Sequence, residues 1–240
     1  PPNKQGEFRA FIRKMGQVTS RLFTMQRGDI LGARGPFGRG WPLNKINRNN
    51  TLIVAGGCGL APLVTLIDNL IDNLIDNLID GLIDKQKSNI QHKQENTQHK
   101  QENTQQVVLI YGARNKAAQL LTPERARWQK HITIFNTLDE YEGQTNSTTV
   151  QGSPLTILPE ALNVFTSPPT TSLLCGPEVM MNSVARYLTA AGLASDTIFL
   201  ALERRMHCAV GLCGHCYISN HYVCKSGPTF SWQELQQLIK

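Results

Sequence analysis

Apolar residues along this chain gather into short runs, and most of those runs end on glycine or proline. Thr51-Leu-Ile-Val-Ala55 leads into Gly56, Gly57, Gly59 and Pro62, and Val107-Val-Leu-Ile-Tyr111 leads into Gly112. Residues 170–174 lead into Cys175-Gly176-Pro177. Runs this short, without alternating polar positions, read as strands buried on both faces. Residues 132–135 and 197–202 read as two more. Elsewhere the period changes: Met180, Val184, Tyr187, Leu188 and Ala191 recur at helical spacing until Gly192 stops them. Residues 231–240 read as a closing helix. Strands alternating with helices, with glycine turns at strand ends, predict a parallel α/β sheet.

The first 45 residues read differently. Residues 7–14 alternate for part of their length and predict a strand. Ser20 to Gln26 predict a short helix, with Thr19 as its N-cap and Gly28 as its stop. Residues 30–34 predict another strand, ending in the turn-rich Arg34-Gly35-Pro36-Phe37-Gly38.

Residues 68–106 interrupt the α/β pattern. Asn-Leu-Ile-Asp recurs from Asp68 to Asp80 and closes as Gly-Leu-Ile-Asp84. On a helix the aspartates form one row that drifts roughly 40° per repeat, opposite a Leu–Ile stripe. An amphipathic helix is feasible, slightly weakened by like charges at i,i+4. Gln91-His-Lys-Gln-Glu-Asn-Thr97 then repeats as Gln98 to Thr104. Ile90 is the one apolar residue in 85–106, which predicts disorder there. His92 and His99 are then products of the repeat rather than metal ligands.

Composition adds three bounds. At 240 residues the chain can bury a real core as one or two domains. The run from Thr51 to Ile67 is uncharged but broken by glycines and Pro62, and it falls short of the ~18–20 apolar residues of a membrane span. Residues 1–50 hold ten Lys/Arg against two Asp/Glu. This basic segment suits an anionic ligand or an acidic protein partner. No recognition helix, zinc finger or basic–aromatic motif supports nucleic acid. The opening Pro1-Pro2-Asn3-Lys4 is polar, so no signal peptide is expected. Cys58 and Cys175 are scattered, which points to a reducing, cytoplasmic setting.

The sharpest chemistry lies at the far end. Cys208, Cys213, Cys216 and Cys224 have the spacing C-x4-C-x2-C-x7-C. The first three reproduce the run of plant-type [2Fe–2S] proteins. Gly211 and Gly214 give such a loop backbone freedom, and Arg204, Arg205 and Lys225 flank it with positive charge. A structural zinc site is the main rival, although its paired C-x2-C units are only half present. Two disulfides are the other. His207, His215 and His221 read as exposed loop residues, because four cysteines already complete a ligand set.

Together these motifs resemble the ferredoxin–NADP reductase superfamily in its iron–sulfur branch. That branch includes the electron-transfer subunit of dihydroorotate dehydrogenase, the gamma subunit of cytoplasmic hydrogenases and a subunit of anaerobic sulfite reductase. Glu203-Arg-Arg-Met206 before the cysteines and Tyr222-Val-Cys-Lys-Ser-Gly-Pro-Thr-Phe-Ser231 after them carry the likeness. It covers nearly the whole chain apart from the repeats and residues 139–165.

The resemblance implies roles residue by residue. Gly16, Val18 and Thr19 match a G-x-V-T element that holds the FAD pyrophosphate. Gly56, Gly57, Gly59 and Pro62 match the turn that meets the NAD(P)H pyrophosphate. Arg114 falls in a loop near the adenosine half. Cys175, Gly176 and Pro177 match the turn bordering the nicotinamide, with Cys175 the candidate catalytic residue. The four clustered cysteines would hold the [2Fe–2S] cluster. The implied domains are a partial FAD-binding barrel over 1–45, an NAD(P)-binding domain over 46–205 and an iron–sulfur segment with a C-terminal helix over 206–240. Only six residues precede residue 7, so the barrel is expected to be truncated. The implied function is electron transfer between NAD(P)H, flavin and cluster, to or from a hydrogenase- or reductase-like catalytic subunit. The alternative is a non-catalytic iron–sulfur or zinc docking module.

Overall fold

The computed structural model describes residues 6–8, 10–46, 50–91, 105–143 and 146–238. Its centre is a seven-stranded sheet. In chain order the strands are β1 (Thr51–Gly56), β2 (Val107–Ala113), β3 (Thr133–Leu138), β4 (Thr149–Gln151), β5 (Thr171–Cys175) and β6 (Ile198–Ala201). A separate hairpin of β7 (Tyr217–Ile218) and β8 (His221–Tyr222) precedes β9 (Thr229–Ser231). Across the sheet the order is β4-β3-β2-β1-β5-β6-β9, and every pair is parallel except β6–β9. The helices are α1 (Gln17–Leu22), α2 (Leu43–Ile46), α3 (Val64–Gln91), α4 (Thr122–Trp128), α5 (Leu158–Leu162), α6 (Glu178–Ala190), α7 (Val223–Ser226) and α8 (Trp232–Leu238).

The apolar runs explain the layering. Successive side chains of a strand face opposite ways. Ile53 and Ala55 of β1 join one core cluster, with α3, Tyr111 and Trp128. Leu52 and Val54 join the other, with α5, α6 and α8. Both faces of the sheet are therefore covered, as a parallel sheet requires. The chain leaves β1 in one direction toward β4, then restarts beside β1 at β5 and proceeds the other way. That reversal makes the C-terminal ends of β1 and β5 the crevice where open α/β sheets bind ligands.

The repeat segment corrects the expectation of an intrusion. α3 is one continuous helix of 28 residues that takes in all of the Asn-Leu-Ile-Asp units. Leu66, Ile67, Leu70, Ile71 and Leu74 are buried, so the first repeats belong to the core, whereas Leu78 and Ile79 are exposed. Asp68 is a structural acceptor. Trp128 Nε1 donates to its Oδ1 at 2.7 Å and Arg127 Nη2 at 2.5 Å. The predicted disorder over 85–106 is also revised, since 85–91 continue α3 and the far end is packed. Gln106 donates its N–H to Asn50 Oδ1 at 2.8 Å and accepts from the Thr166 N–H at 2.7 Å. His92, His99 and the rest of 92–104 lie outside the described residues. By length and composition Gly57–Asp80 could cross a membrane, but half of its apolar window is buried in this domain, as in a core helix.

Three other expectations change. Neither 7–14 nor 30–34 forms a strand: a strand needs a neighbour, and the sheets contain none of the described residues before Thr51. The helix expected over Ser20 to Gln26 is α1, which starts from Gly16 as N-cap and ends at Leu22. Thr19 sits inside it, its Oγ1 accepting from the Gly16 N–H at 3.0 Å. In α6 the buried stripe is Met181, Val184, Ala185 and Leu188, one position away from Met180 and Tyr187. Gly192 stops that helix with φ +96, as expected.

α8 begins with a capping box. Glu234 N–H donates to Ser231 Oγ at 3.2 Å, and Ser231 N–H donates to Glu234 Oε2 at 2.7 Å. Arg39 pairs with both oxygens of the same carboxylate, at 3.0 and 2.9 Å. Burial alone would raise the Glu234 carboxyl; Arg39 and Ser231 outweigh it and hold it below the usual carboxylate range. A group depressed in this way contributes stability above its unfolded pKa and loses it as pH falls through the folded value. Glu234→Gln keeps the cap but removes the charge. The pair is half-exposed and solvent-screened, so the expected cost is about 0.5–1 kcal/mol at pH 7. In melting curves that gap should close as pH drops below about 4. A gap that persists at pH 3 would contradict this account.

Candidate functional site

The crevice predicted by the sheet order is present. It is a cleft of about 510 Å3 at the C-terminal edge of the strands. Its lining comes from Gly56 and Gly57 after β1, from Gly112, Ala113 and Arg114 at the end of β2, and from Asp139 after β3. Ser153, Pro154 and Leu155 form a further wall, and Pro177, Val179, Met180 and Ser183 close it from α6. Glycine is required where two turns meet. A Cβ on Gly59 would lie 2.3 Å from the Cys175 carbonyl oxygen, and one on Gly176 (φ +147) 2.8 Å from the Gly56 nitrogen. The β1 and β5 turns therefore pack backbone against backbone, leaving a floor free of side chains.

Two polar groups brace this floor. Tyr111 is fully buried, and its hydroxyl accepts from Leu120 N–H at 3.0 Å and donates to the Gly57 carbonyl at 3.4 Å. Burial raises its pKa, so it stays a neutral donor. Arg125 lies over its ring, 5.1 Å from the centroid, and donates to Asn136 Oδ1 at 2.9 Å. At the outer end, Arg114 Nε donates to Glu140 Oε1 at 2.8 Å, and Asn115 Nδ2 donates to Glu140 Oε2 at 3.0 Å. Glu140 raises the Arg114 pKa, while Asn115 and Arg114 lower that of Glu140.

The cysteine loop is a second site. Gly211 and Gly214 both have φ +77, so the chain can fold back around Cys208. The amides of Val210, Leu212 and Cys213 point at Cys208 Sγ at 3.4, 3.3 and 3.4 Å. These donors lower the Cys208 pKa, and amides led by that of His215 lower Cys213 to about 7. The hairpin β7–β8 explains the seven-residue spacer, since it returns the chain so that Val223 N–H meets the Cys216 carbonyl at 3.0 Å. Cys216 and Cys224 are buried; burial raises Cys224, helped by a hydrogen bond with Cys216. Cys208 and Cys213 share a second such bond. Cys224 also feels the charge of Cys208, so the four thiols gather in one loop. The rings of His207 and His215 stack at 4.0 Å, exposed outside the ligand set.

Residues 53–186 match the family of oxidoreductase NAD-binding domains. Residues 203–236 match the iron–sulfur cluster binding domain of dihydroorotate dehydrogenase B. The sulfhydrogenase 2 subunit gamma of Pyrococcus furiosus is 31% identical over 238 residues, covering 92% of this chain and 72% of the relative. This chain belongs to the iron–sulfur branch of the ferredoxin–NADP reductase superfamily. Another relative in that branch is the probable dihydroorotate dehydrogenase B (NAD(+)) electron transfer subunit of Pyrococcus horikoshii, 27% identical over 94% of this chain and 70% of the relative. Among solved structures, the NADH-dependent reduced ferredoxin-NADP oxidoreductase shares the fold. Its TM-score is 0.59 at 20% identity, covering 95% of this chain and 69% of that one.

As a member of this branch the chain is an electron-transfer oxidoreductase subunit, with an NAD-binding domain and an iron–sulfur cluster binding segment. The residues present fit the cluster. Four thiols in one loop, with backbone amides converging on Cys208 Sγ, supply the four-thiolate donor set of such a cluster. Gly56, Gly57, Arg114 and Pro177 line the cleft, whereas Gly59, Pro62, Cys175 and Gly176 lie outside its lining, Gly59 and Gly176 in the packed turns beneath it. For FAD, the Gly16–Thr19 element opens α1, with Val18 exposed. Arg13 Nη1 lies 3.7 Å from Cys58 Sγ, which brings the segment leading into α1 beside the glycine turn.

Cys175 is repositioned relative to the reading from sequence. It is 1% exposed and its side chain joins the apolar core. Burial, with a smaller contribution from Glu203, pushes its thiol up to about 12. It is a neutral thiol at physiological pH, and its backbone is what borders the site. The residues missed from sequence are those of the outer wall, Asp139 and Ser153 to Leu155. The signal available was Gly152, which has φ +123 just before them.

Proposed function

We propose that this chain is the NAD(P)H-dependent subunit of a larger oxidoreductase, exchanging electrons with a catalytic partner of hydrogenase or reductase type in the cytoplasm. The observation that carries this reading is the glycine-floored cleft at the β1–β5 switch point, on the same chain as four clustered thiols. When bound, the dinucleotide and FAD supply hydride chemistry and the cluster supplies single-electron chemistry. The protein's task is then to position and to exclude water. Gly56, Gly57 and Gly112 let a pyrophosphate approach backbone amides, and Arg114 offers the outer end a cation. The Cys175-Gly176-Pro177 turn borders the reacting half as a steric wall. Gly16, Val18 and Thr19 open a helix whose N-terminal amides favour an anion. Functionally, residues 1–45, 46–205 and 206–240 serve flavin, dinucleotide and cluster. Around the cluster loop Met206, Val210, Leu212 and Tyr217 are exposed, with Arg205 and Lys225 beside them. An apolar patch rimmed by charge suits a protein partner.

The test is anaerobic stopped-flow of the cofactor-loaded chain. NADH or NADPH is expected to bleach its visible bands within the mixing experiment. Bleaching by dithionite but by neither dinucleotide would overturn the proposal in favour of a docking module.

A further inference from the structure

Charge gathers at the outer end of the cleft. Two charged residues line the cleft, Arg114 and Asp139. Arg114 is held by Glu140, so its charge is matched on the spot, and Asp139 adds a second carboxylate to the same mouth. The loop cannot simply swing these groups away. Asp139 N–H donates to the Ala113 carbonyl at 3.2 Å, Glu140 N–H donates to the Arg114 carbonyl at 2.8 Å, and Asn115 fixes the other Glu140 oxygen.

Which half of a dinucleotide lies here follows from the rest of the cleft. With the pyrophosphate over Gly56 and Gly57, one half points toward the β5 turn and the other toward β2 and β3. The contact between Arg13 and Cys58 brings the N-terminal segment, with its Gly16–Thr19 element, beside the glycine turn. Arg39 ties the same segment to the Thr229 carbonyl of β9, on the β5 side of β1, so the reacting half belongs on that side and the adenosine half lies toward Arg114 and Asp139. A ribose 2′,3′-diol carries two O–H donors, for which carboxylates are good acceptors. A 2′-phosphate carries roughly −1.5 to −2 charges and only acceptors. It would face two carboxylates and one arginine already engaged.

We infer that this cleft selects the non-phosphorylated dinucleotide, with Asp139 and Glu140 as the specificity-determining residues that reject a 2′-phosphate. The inference rests on the proposed dinucleotide site and adds the choice between its two forms. Lys116 is exposed on the turn after Asn115 and, unlike Glu140, is not held to Arg114 at the mouth of the cleft.

Calorimetric titration of the full cofactor-loaded chain separates the possibilities, using NAD+, NADP+, 5′-AMP and 2′,5′-ADP as probes. NAD+ should bind at least about tenfold tighter than NADP+, and 5′-AMP tighter than 2′,5′-ADP, as expected for an added charge facing fixed carboxylates. Raising salt should narrow the gap by screening it. Glu140→Gln and Asp139→Asn should each narrow it at low salt, whereas Lys116→Ala should leave the ratio unchanged. NADP+ binding as tightly as NAD+, or a ratio indifferent to both carboxylate variants, overturns the inference while leaving the dinucleotide site standing. No binding of any of the four probes overturns that site and the inference with it.

Discussion

Anaerobically purified protein is expected to contain about two irons and two labile sulfides per chain, and replacing any one of Cys208, Cys213, Cys216 or Cys224 by serine should abolish or strongly alter its reduced-state EPR signal. The expectation is large because each thiolate is one of only four anchors. Cys208 has a further reason to be sensitive, since three backbone amides converge on its sulfur and would lose their acceptor together. Cys216 and Cys224 are buried, so serine there also leaves a hydroxyl among apolar neighbours. Cys58→Ser is the control, because Cys58 lies in the glycine turn rather than the loop and should leave iron content and signal unchanged. Stoichiometric zinc without sulfide would rule the cluster out.

The second large effect separates residues that are identical in sequence. Leu70 and Leu78 occupy the same place in two copies of Asn-Leu-Ile-Asp. Leu70 is 0% exposed against the sheet, and Leu78 is 56% exposed. Leu70→Ala should cost about 2–5 kcal/mol, as for a buried leucine that leaves a cavity. Leu78→Ala should fall within about 0.5 kcal/mol of wild type, as for a surface position. Urea unfolding of the three proteins, with equal slopes, measures both. Equal losses at the two sites would mean that the outer repeats are packed as tightly as the inner ones.

That contrast also shows where legibility in the sequence ends. β1, β2 and β5, the glycine turn and the cysteine loop were readable because each is a local pattern with a local cause. A four-residue repeat has no such mark. Nothing in Asn-Leu-Ile-Asp tells the copy that meets Trp128 from the copy that meets solvent, because the difference comes from residues some sixty positions away. The outer wall of the cleft was unreadable for the same reason. Asp139 and Pro154 reach Arg114 only because β3 and β4 line up beyond β2. β4 and β9, of three residues each, are too short to show a period of their own. The N-terminal segment fails in the opposite direction: residues 7–14 and 30–34 have strand-like patterns, but none of the described residues there enters a sheet. Cys175 ends β5, and its depth, set by tertiary packing that no local pattern records, keeps its thiol in the core.

The long helix α3 also bears on how this gene can change. Among the described side chains Leu74 is the last buried leucine and Leu78 and Ile79 are exposed, so a copy gained or lost beyond Ile75 is expected to spare the core, and slippage in the gene should meet little selection on stability there. Each added copy nevertheless advances the helix by about 6 Å and turns it by roughly 40°. Repeat number acts as a ruler and a dial for the outer end of α3.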